Sequence, residues 1–407
     1  MAMIPKVAWR NIWRQRVRSS IVILSIALGI WAGIFLVSFS YGMNDQRTQS
    51  ALMTSITHLQ IHDPGFEKDN HPSFYIKDTG GIRSVLDTST LVQNYTTRIL
   101  LNGMVSSPVS ASGVRIMGID PRMEAATTII EEDLRTGDWF TSEKKNRILI
   151  GRKLAEKLHL DVKSKLVLTF QDDQNNIVAG AFRVEGIFKT SNSRYDESTV
   201  YVRKQDLESI LGWPQGRIHE FAIVLKDREQ ADPMKQVLKE EFPKMTIRTW
   251  KEISPELGYA DEVMAQMLVL FIGIIMLALS FGIINNMLMA VLERKKELGT
   301  LMAVGMNRRK VFKMIVLETI FLGLAGAPIG MLLGSLTVRI TSRTGIDIGF
   351  LGQGLESLGI STVVYPEIPS YFYWLIGSMV VLMTLLASIY PARKALKLNP
   401  IEAIRSI

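Results

Sequence analysis

"ERKKELGTLMAVGMNRRKVF", residues 293–312, lies between two long apolar runs and decides how the chain is organised. It carries six lysines and arginines, three near each end, whereas its middle, "LGTLMAVG", is small and apolar. Short loops on the cytoplasmic side of a membrane carry an excess of lysine and arginine. The stretch therefore predicts a membrane protein in which this hairpin faces the cytoplasm.

The composition indicates a chain that is only partly embedded in a membrane. Of its 407 residues, 47% are hydrophobic, and the mean hydropathy is +0.17. These values are too polar for a protein that is mostly membrane and too apolar for an ordinary soluble enzyme, so we expect membrane spans and a sizeable soluble domain. The chain has no cysteine, which excludes disulfides, thiolate metal sites and cysteine nucleophiles.

Four segments are long and apolar enough to cross a bilayer, which takes roughly 20 residues. The first, 19–44, carries no charge, and we interpret it as a retained signal anchor because a cleaved signal sequence has a shorter apolar core. The second, 263–292, exceeds the thickness of the hydrocarbon core and is expected to continue as a stalk. The third and fourth are 314–338 and 371–390.

Three basic segments predict the orientation of these spans. The N-terminal segment 1–18 holds five basic residues and no acidic one, the hairpin 293–313 seven against two, and the tail 391–407 four against one. The positive-inside rule places all three in the cytoplasm, with 45–262 and the loop 339–370 outside. The net charge of +8 thus reflects topology and contact with membrane lipid, and we predict no nucleic-acid partner.

The large segment 45–262 is predicted to be an α+β domain. Runs such as "VRIMGIDP", "KLVLTF", "AFRVEGIFKT" and "EFAIVLKD" have the composition of strands bounded by turn residues. "KQDLESILG" and "QADPMKQVLKEEF" are typical of helices, "ILIGRKLAEKLHL" of a strand end followed by a helix, and 68–79 of a loop.

Two histidines in "HLQIHDPG" raise the question of a metal site. The alternation of apolar and polar residues predicts a strand with His58 and His62 on a solvated face. Strand residues four apart lie about 13 Å from each other, which is too far for one ion. We also find no phosphate-binding loop, nucleophile elbow, zinc-protease pair or carboxylate dyad. We therefore predict no metal, no catalytic residue and no enzymatic activity on this chain.

The third span is predicted to pack closely against another helix. Gly323, Gly326, Gly330 and Gly334 recur at spacings of three and four and so line one helix face, which lets another backbone approach. Glu318, about one turn inside the cytoplasmic end, either extends to the membrane surface or bonds across helices.

The middle of the hairpin is predicted to dock on a partner. "GTLMAVG" can form a short helix bounded by Gly299 and Gly305, and its apolar side chains would be exposed unless a cytoplasmic protein covered them. The tail "YPARKALKLNPIEAIRSI" repeats the combination of basic and apolar residues. A simple basic loop at the membrane surface is the alternative.

"ERKKELGTLMAVGMNRRKVFKMIVLETIFLGLAGAPIGMLLG", together with "YPARKALKLNPIEAI", resembles the FtsX/MacB-like permeases of ATP-binding-cassette (ABC) transporters. "AWRNIWRQRVRSSIVILSIALGI" fits the first span of that family. "MGIDP", "ILIGRKLAEKL", "FRVEGIF" and "RYDESTVYV" resemble the lipoprotein-releasing, LolC/LolE-type branch. The resemblance implies four spans in the inner membrane, with a MacB-like periplasmic α+β domain between the first and the second.

The resemblance also implies partners and an activity. It implies a dimer with an identical or homologous permease and two copies of a cytoplasmic ATPase, which binds ATP and magnesium, so that this chain carries no cofactor. ATP hydrolysis would drive extraction or export of a lipoprotein or other lipid-anchored cargo from the outer leaflet. The hairpin would sit in a cleft of the ATPase, and the implied coupling residues are Glu297, Leu298, Gly299, Leu301, Met302, Ala303, Val304 and Gly305.

In the lipoprotein branch, cargo enters between the first and second spans. By position, the implied pocket residues are Trp31, Phe35, Phe39, Met43, Met264, Met267 and Phe271. The carrier-docking permease of that branch has a proline-rich hook, whereas here "FQDDQNNIVAGAF" is a short polar hairpin without proline. A periplasmic carrier therefore stays an open question. MacB-like efflux of peptides or drugs and FtsX-like signalling to an external wall hydrolase remain alternatives.

Overall fold

The computed structural model describes residues 3–14, 16–141, 144–351, 354 and 359–397. The chain forms two compact units. The membrane unit comprises Met1–Met43, Glu262–Asp347 and Val363–Ile407, and the inserted domain comprises Asn44–Asp261 and Ile348–Thr362. Residues 398–407, most of the predicted C-terminal tail, lie outside the described part of the chain.

Short helices and strands are interspersed in the inserted domain, and long helices form the membrane unit. The helices are α1 (Met3–Arg14), α2 (Arg16–Ala51), α3 (Pro64–Asp69), α4 (Thr79–Thr88), α5 (Pro121–Thr127), α6 (Arg152–Leu158), α7 (Ser193–Ser198), α8 (Lys204–Leu211), α9 (Ala231–Glu241), α10 (Trp250–Ile253), α11 (Pro255–Glu293), α12 (Lys295–Ala303), α13 (Arg308–Thr344) and α14 (Ser370–Leu396). The strands are β1 (Leu59–His62), β2 (Val92–Ser106), β3 (Ala111–Ile119), β4 (Leu134–Gly137), β5 (Arg147–Gly151), β6 (Lys165–Gln171), β7 (Ile177–Phe188), β8 (Thr199–Arg203), β9 (Glu220–Leu225), β10 (Thr246–Thr249), β11 (Ile346–Asp347) and β12 (Val363–Val364).

Within the described part of the chain, four helices, α2, α11, α13 and α14, are long and apolar enough to cross a membrane. Each extends beyond the apolar segment from which we predicted it: α2 reaches Ala51, and α11 begins at Pro255. The hydropathy pattern marks only the apolar part of a helix, whereas hydrogen bonding continues into polar residues. At 1.5 Å per residue, the 36 residues of α2 extend to roughly 54 Å.

The N-terminal segment is helical, which its run of positive charges did not indicate. Helix α1 buries Ala8 and Ile12 in the core of the membrane unit and leaves its lysine and arginines exposed. Since residues four apart share a helix face, these two apolar side chains form one stripe. The segment is therefore an amphipathic helix packed on the spans.

The glycines of α13 face two other spans. A Cβ on Gly326 would lie 3.0 Å from the carbonyl oxygen of Ile23, and one on Gly330 would lie 2.6 Å from that of Ala27. Farther along, Gly334 lies against Ile34. Three glycines thus bring α13 against the backbone and side chains of α2, whereas Gly323 faces Thr384 of α14.

The inserted domain is built on one ten-stranded sheet of order β10-β1-β9-β2-β3-β8-β5-β7-β4, with β6 pairing with β2 and β7. Strand β2, at 15 residues, connects the two halves of the sheet. Its first half pairs with β9, and its second half pairs with β3 and β6. Separate apolar cores lie on each half.

The prediction of a solvated histidine face was wrong. His58 and His62 are 4% and 9% exposed, because β1 is an inner strand between β10 and β9 and both of its faces are covered. His58 accepts a hydrogen bond from the Leu225 backbone N–H at 2.9 Å through Nδ1. No group of three potential metal ligands occurs among the described residues.

Candidate coupling site and membrane groove

The hairpin between α11 and α13 contains a short helix with defined ends. Helix α11 ends at Glu293, Arg294 lies outside both helices, and α12 runs over Lys295–Ala303. Its C-terminal turn has hydrogen bonds from Gly305 N–H to the Met302 carbonyl and from Met306 N–H to the Leu301 carbonyl. This is a Schellman turn, and the φ of +99° at Gly305 is the left-handed conformation that such a turn requires.

The apolar side chains of the hairpin differ in exposure. Leu298 is 2% exposed, and Leu301 and Met302 pack against the core of the membrane unit. By contrast, Val304 is 84% exposed, and its neighbours Ala303 and Gly305 are exposed too. Among the predicted coupling residues, 298, 299, 301 and 302 are therefore anchored, and 303–305 form an exposed tip. Glu297, at the start of α12, is also exposed.

Arg294 fixes the start of α12 to a neighbouring span. Its Nη1 lies 3.1 and 3.3 Å from the two carboxylate oxygens of Glu318 on α13. Its Nε donates to Glu297 in the first turn of α12 at 3.1 Å. The side chains of Arg294 and Glu318 are each only 11% exposed. Of the two alternatives for Glu318, the structure thus has the bond across helices.

Two arginines near the N-terminus extend this network. Arg14, in the last turn of α1, forms an ion pair with Glu297, and Arg18 at the start of α2 pairs with Glu293. The carboxylate of Glu297 therefore receives hydrogen bonds from both Arg14 and Arg294. The hairpin is tied by charge to α1, α2 and α13.

A narrow apolar groove of about 300 Å³ lies between α2 and α11. From α2 it is lined by small and branched residues that include Ser25, Ile26 and Gly29. From α11 it is lined by a stripe that includes Asn286 and Gly282, and a Cβ added at Gly282 would have no atom within 4 Å. The groove can therefore admit a thin apolar chain.

Comparison with known proteins identifies the family. The MacB-like periplasmic core domain family matches residues 19–241, and the FtsX-like permease C-terminal family matches residues 269–400. The chain belongs to the FtsX/MacB family of ABC-transporter permeases.

Relatives of this permease cover nearly its whole length. It is 24% identical to an uncharacterized ABC transporter permease of Methanocaldococcus jannaschii, over 98% of this chain and 96% of the relative. It is 23% identical to the lipoprotein-releasing system transmembrane protein LolC of Haemophilus influenzae, over 96% and 94%. The periplasmic region of MacB from Actinobacillus actinomycetemcomitans is 11% identical, with a TM-score of 0.35 over 51% of this chain and 95% of that one.

The seven implied pocket residues of the permease do not line the groove between α2 and α11. Trp31, Phe35 and Phe39 form a row along α2, with ring centroids 6.3 and 6.2 Å apart, and Trp31 donates to Thr337 of α13 at 3.0 Å. Their row is thus bonded to α13. Met43 is half-buried on α2, Met264 packs against the core, and Met267 and Phe271 are 50% and 42% exposed on α11.

The inserted domain of the permease contains a second arginine between two glutamates. Arg98 on β2 is fully buried and lies 2.6 Å from Glu124 of α5 and 2.9 Å from Glu220 of β9. His62 on β1 binds the other oxygen of Glu220 at 3.0 Å. Burial raises the pKa of Glu220, but the His62 hydrogen bond and the Arg98 charge outweigh it and bring that pKa down to about 2.

His219 lies beside this cluster and is held neutral. Its Nδ1 accepts from the Leu100 backbone N–H at 3.0 Å, and its Nε2 lies 3.1 Å from the Pro72 carbonyl oxygen, to which it donates. Protonation would place a second ring N–H against the N–H of Leu100. Burial lowers the pKa of His219 to about 4.

Sequence reasoning missed both arginine centres. Arg294 is one of three consecutive basic residues in the hairpin, and its partner Glu318 follows 24 residues later. Arg98 lies within "NYTTRILLNG", where a charge among apolar residues is the only signal. A lone charge inside a strand-like run indicates a buried partner, but the run itself was not recognised as a strand.

Proposed function

We propose that this permease couples ATP hydrolysis by a separate ATPase subunit to the extraction or export of a lipid-anchored protein. In this proposal the termini and the hairpin face the cytoplasm, and the inserted domain faces the opposite side. Two permeases and two ATPase subunits assemble, with ATP and magnesium bound by the ATPase. The exposed apolar tip of the hairpin, on a helix held by ion pairs, is the observation that carries the proposal.

The tip has the properties of a docking element. An apolar side chain that is 84% exposed, as Val304 is, gains free energy when a partner removes it from water. The ion pairs of Arg294 and the Schellman turn hold α12 in one orientation, so a partner meets a preorganised surface. Force applied to the tip reaches α13 through Arg294 and Glu318.

The groove between α2 and α11 supports a lipid anchor as the cargo feature. It is narrow, apolar and bounded by two spans, which suits an acyl chain better than a polar solute. Relatives named as lipoprotein-releasing components align over nearly the whole chain. Exposed Met267 and Phe271 remain proposed contacts for cargo on α11.

A soluble carrier is not part of the proposal. Strands β6 and β7 are joined by the short turn 172–176, in which Asp172 accepts from the backbone N–H groups of Gln174 and Asn176 at 2.8 Å. This compact turn offers no extended hook.

Replacing Val304 by aspartate tests the docking assignment. We expect V304D to weaken association with the ATPase by roughly 30-fold or more, since charge in a desolvated contact costs at least about 2 kcal/mol. The matched control is V109D, at a valine of the inserted domain that is 70% exposed and should not affect association. Gly305 is a poorer test site, because its left-handed φ makes any substitution disturb the turn. A V304D variant that copurifies with the ATPase and transports normally would refute the assignment.

Filling the groove tests the cargo class. G282I places a branched side chain in the open groove, whereas G273I adds the same side chain at another open position of α11 that does not line it. Reconstituted with its ATPase and a lipoprotein, G282I should hydrolyse ATP but release at least about tenfold less cargo, a loss of roughly 1.4 kcal/mol. Wild-type permease that turns over ATP while lipoprotein stays in the bilayer would exclude this cargo.

The match to the MacB-like periplasmic core domain over 19–241 favours a second candidate, efflux of peptides or drugs. That function predicts ATP hydrolysis stimulated by soluble peptides or drugs in the absence of any lipoprotein. Measuring ATPase rates with each class of compound distinguishes the two.

A further inference from the structure

We propose that α1 binds the surface of an anionic phospholipid leaflet and passes this contact to the hairpin helix α12. The lipid contact does not depend on the proposed function, whereas the expected effect of this contact on ATP turnover rests on the proposed function. Two stripes of side chains on α1 and one ion pair carry the proposal.

The first stripe is aromatic. Trp9 and Trp13, four residues apart, share a face of α1 and are 46% and 52% exposed. Their rings make an edge-to-face contact at 5.9 Å, and Trp9 makes another with Phe321 of α13 at 5.7 Å. Tryptophans concentrate at membrane interfaces, where the apolar ring and the N–H both find suitable surroundings. The stripe is therefore placed at the boundary between headgroups and acyl chains.

The second stripe is cationic and lies next to the first. Lys6 and Arg10, four residues apart, are exposed, and neither forms an ion pair within the described part of the chain. At 100° per residue, Lys6 and Arg10 lie at the outer side of the tryptophan stripe, opposite Ala8 and Ile12. Tryptophan beside cation on one helix is the arrangement expected at an anionic lipid surface.

The third face fixes α1 to the spans. Ala8 and Ile12 are buried in the core of the membrane unit, and the Ser19 hydroxyl donates to the Ile12 carbonyl at 2.7 Å. Asn11 Nδ2 lies 4.0 Å from the sulfur of Met314 on α13. The helix is thus held against α13, with its cationic stripe turned away from the protein and its aromatic stripe partly exposed beside Phe321.

The ion pair between Arg14 and Glu297 connects this helix to α12. Arg14 follows Arg10 by one turn, so lipid that orders α1 also orders the arginine that holds the coupling helix. The acidic surface of a partner protein could satisfy the cations alone. It would not account for the adjoining tryptophans, so we assign the surface to lipid.

A single label reports the lipid contact directly. Because the chain has no cysteine, P5C provides one labelling site at an exposed position of α1, one turn before Trp9. In nanodiscs containing phosphatidylglycerol we expect a label there to be shielded from a water-soluble quencher, and in phosphatidylcholine alone to be less shielded. A K239C label in the inserted domain should stay accessible in both. Equal accessibility of the P5C label in both lipids would overturn the proposal.

Neutralising the cations tests the charge contribution. The double variant K6Q/R10Q should weaken headgroup binding roughly 30-fold, because each basic residue near an anionic surface contributes about 1 kcal/mol. The matched double variant K226Q/K239Q removes two exposed lysines from the inserted domain and should leave shielding unchanged. Shielding that survives K6Q/R10Q would refute the cationic stripe. Loss of ATPase association by K6Q/R10Q in detergent without lipid would instead assign the stripe to a protein partner and overturn the proposal.

The ATPase rate tests the link to α12. Phosphatidylglycerol should raise the ATPase rate of the wild-type complex severalfold, and R14Q should abolish this stimulation while the P5C label stays shielded. Stimulation that persists in R14Q would refute the link. A shielded label in a chain that binds no ATPase would leave the lipid contact standing and count against the proposed function instead.

Discussion

The membrane unit and the inserted domain each contain an arginine between two glutamates, and the two centres differ in burial. Arg98 and its partners Glu124 and Glu220 are almost completely removed from water. Around Arg294, the Glu318 side chain is 11% exposed, whereas that of Glu297 is 45% exposed and also meets Arg14.

The difference in burial gives the two centres different roles. In the inserted domain, each charge has lost its water and depends entirely on its partners, so the arrangement is fixed. In the hairpin, Glu297 retains water as an alternative partner, and its ion pairs exchange at small cost. The first centre therefore fixes α5 to β2 and β9, and the second is suited to ion pairs that exchange partners.

The largest effect is expected from breaking the buried centre. Arg98→Met leaves Glu124 and Glu220 without their cation and should lower the free energy of unfolding of the inserted domain by about 3–5 kcal/mol. Chemical unfolding of the full chain measures this loss of stability, with proteolysis of the inserted domain as the readout.

The control for this change is Arg152→Met, which removes an exposed arginine paired with Glu156 at 3.0 Å. It should cost less than about 1 kcal/mol. Equal effects of the two substitutions would show that burial does not separate them.

The next largest effect is expected from acid, which protonates the buried His219. The pKa of His219 is about 4 in the folded state and about 6.5 when unfolded, so the unfolded state binds more protons between these values. The contribution of His219 is complete above pH 6.5 and is lost as the pH falls toward 4, by up to about 3 kcal/mol.

A difference measurement isolates this histidine. Burial raises the pKa of Asp133 and of Asp196 to about 6, so these carboxyls favour the folded state as the pH falls and oppose His219. The stability of wild type minus that of His219→Asn, followed from pH 7 to 4, removes their contribution. A difference in stability that stays constant from pH 7 to 4 would contradict the pH dependence assigned to His219.

A smaller effect is expected at the partly buried arginine. Arg294→Gln leaves Glu318 without its cation and should destabilise the hairpin by about 2 kcal/mol, seen as faster hydrogen exchange in α12. Lys296→Gln changes the charge equally at an exposed residue two positions away and serves as the control. Unchanged exchange in Arg294→Gln would mean that the Arg294 contacts do not hold α12.

The smallest effect is expected at the exposed end of the network. Arg14 is 57% exposed, so Arg14→Gln should change the free energy of unfolding by less than about 1 kcal/mol. Thermal unfolding of the membrane unit in nanodiscs measures it. A loss as large as that of Arg294→Gln would show that exposure does not separate these two arginines of the hairpin network.

Much of the fold follows from local patterns in the sequence. The four spans, the helices at "KQDLESILG" and "QADPMKQVLKEEF", and the strands at "KLVLTF" and "EFAIVLKD" all occur, since each combines one clear periodicity with turn residues at its ends. The prediction of strands failed where a strand is covered on both faces. β2 was not recognised because its inner positions Thr96–Leu101 are buried on both faces and do not alternate.

The candidate site was predictable only in outline. The apolar tip at 303–305 is visible in "LMAVG", but Leu298 and Met302 turn inward because α12 lies on the spans. The ion pairs of Arg294 connect residues far apart along the chain, and no spacing rule links them. The predicted boundary at Gly305 agrees with its φ, which ends the helix. The predicted boundary at Gly299 was wrong, since α12 begins at Lys295 and Gly299 lies within it.

The close approach of α13 to α2 constrains how the spans can move. At Gly330 a methyl group would already meet the Ala27 carbonyl oxygen at 2.6 Å, so neither helix can turn about its own axis without collision. At Gly29 of α2, the nearest atoms of α11 belong to the flexible end of the Leu279 side chain. At Gly282 of α11, an added Cβ would have no atom within 4 Å. The groove between α2 and α11 therefore lies beside a close-packed pair of helices, at the looser of the two contacts that α2 makes.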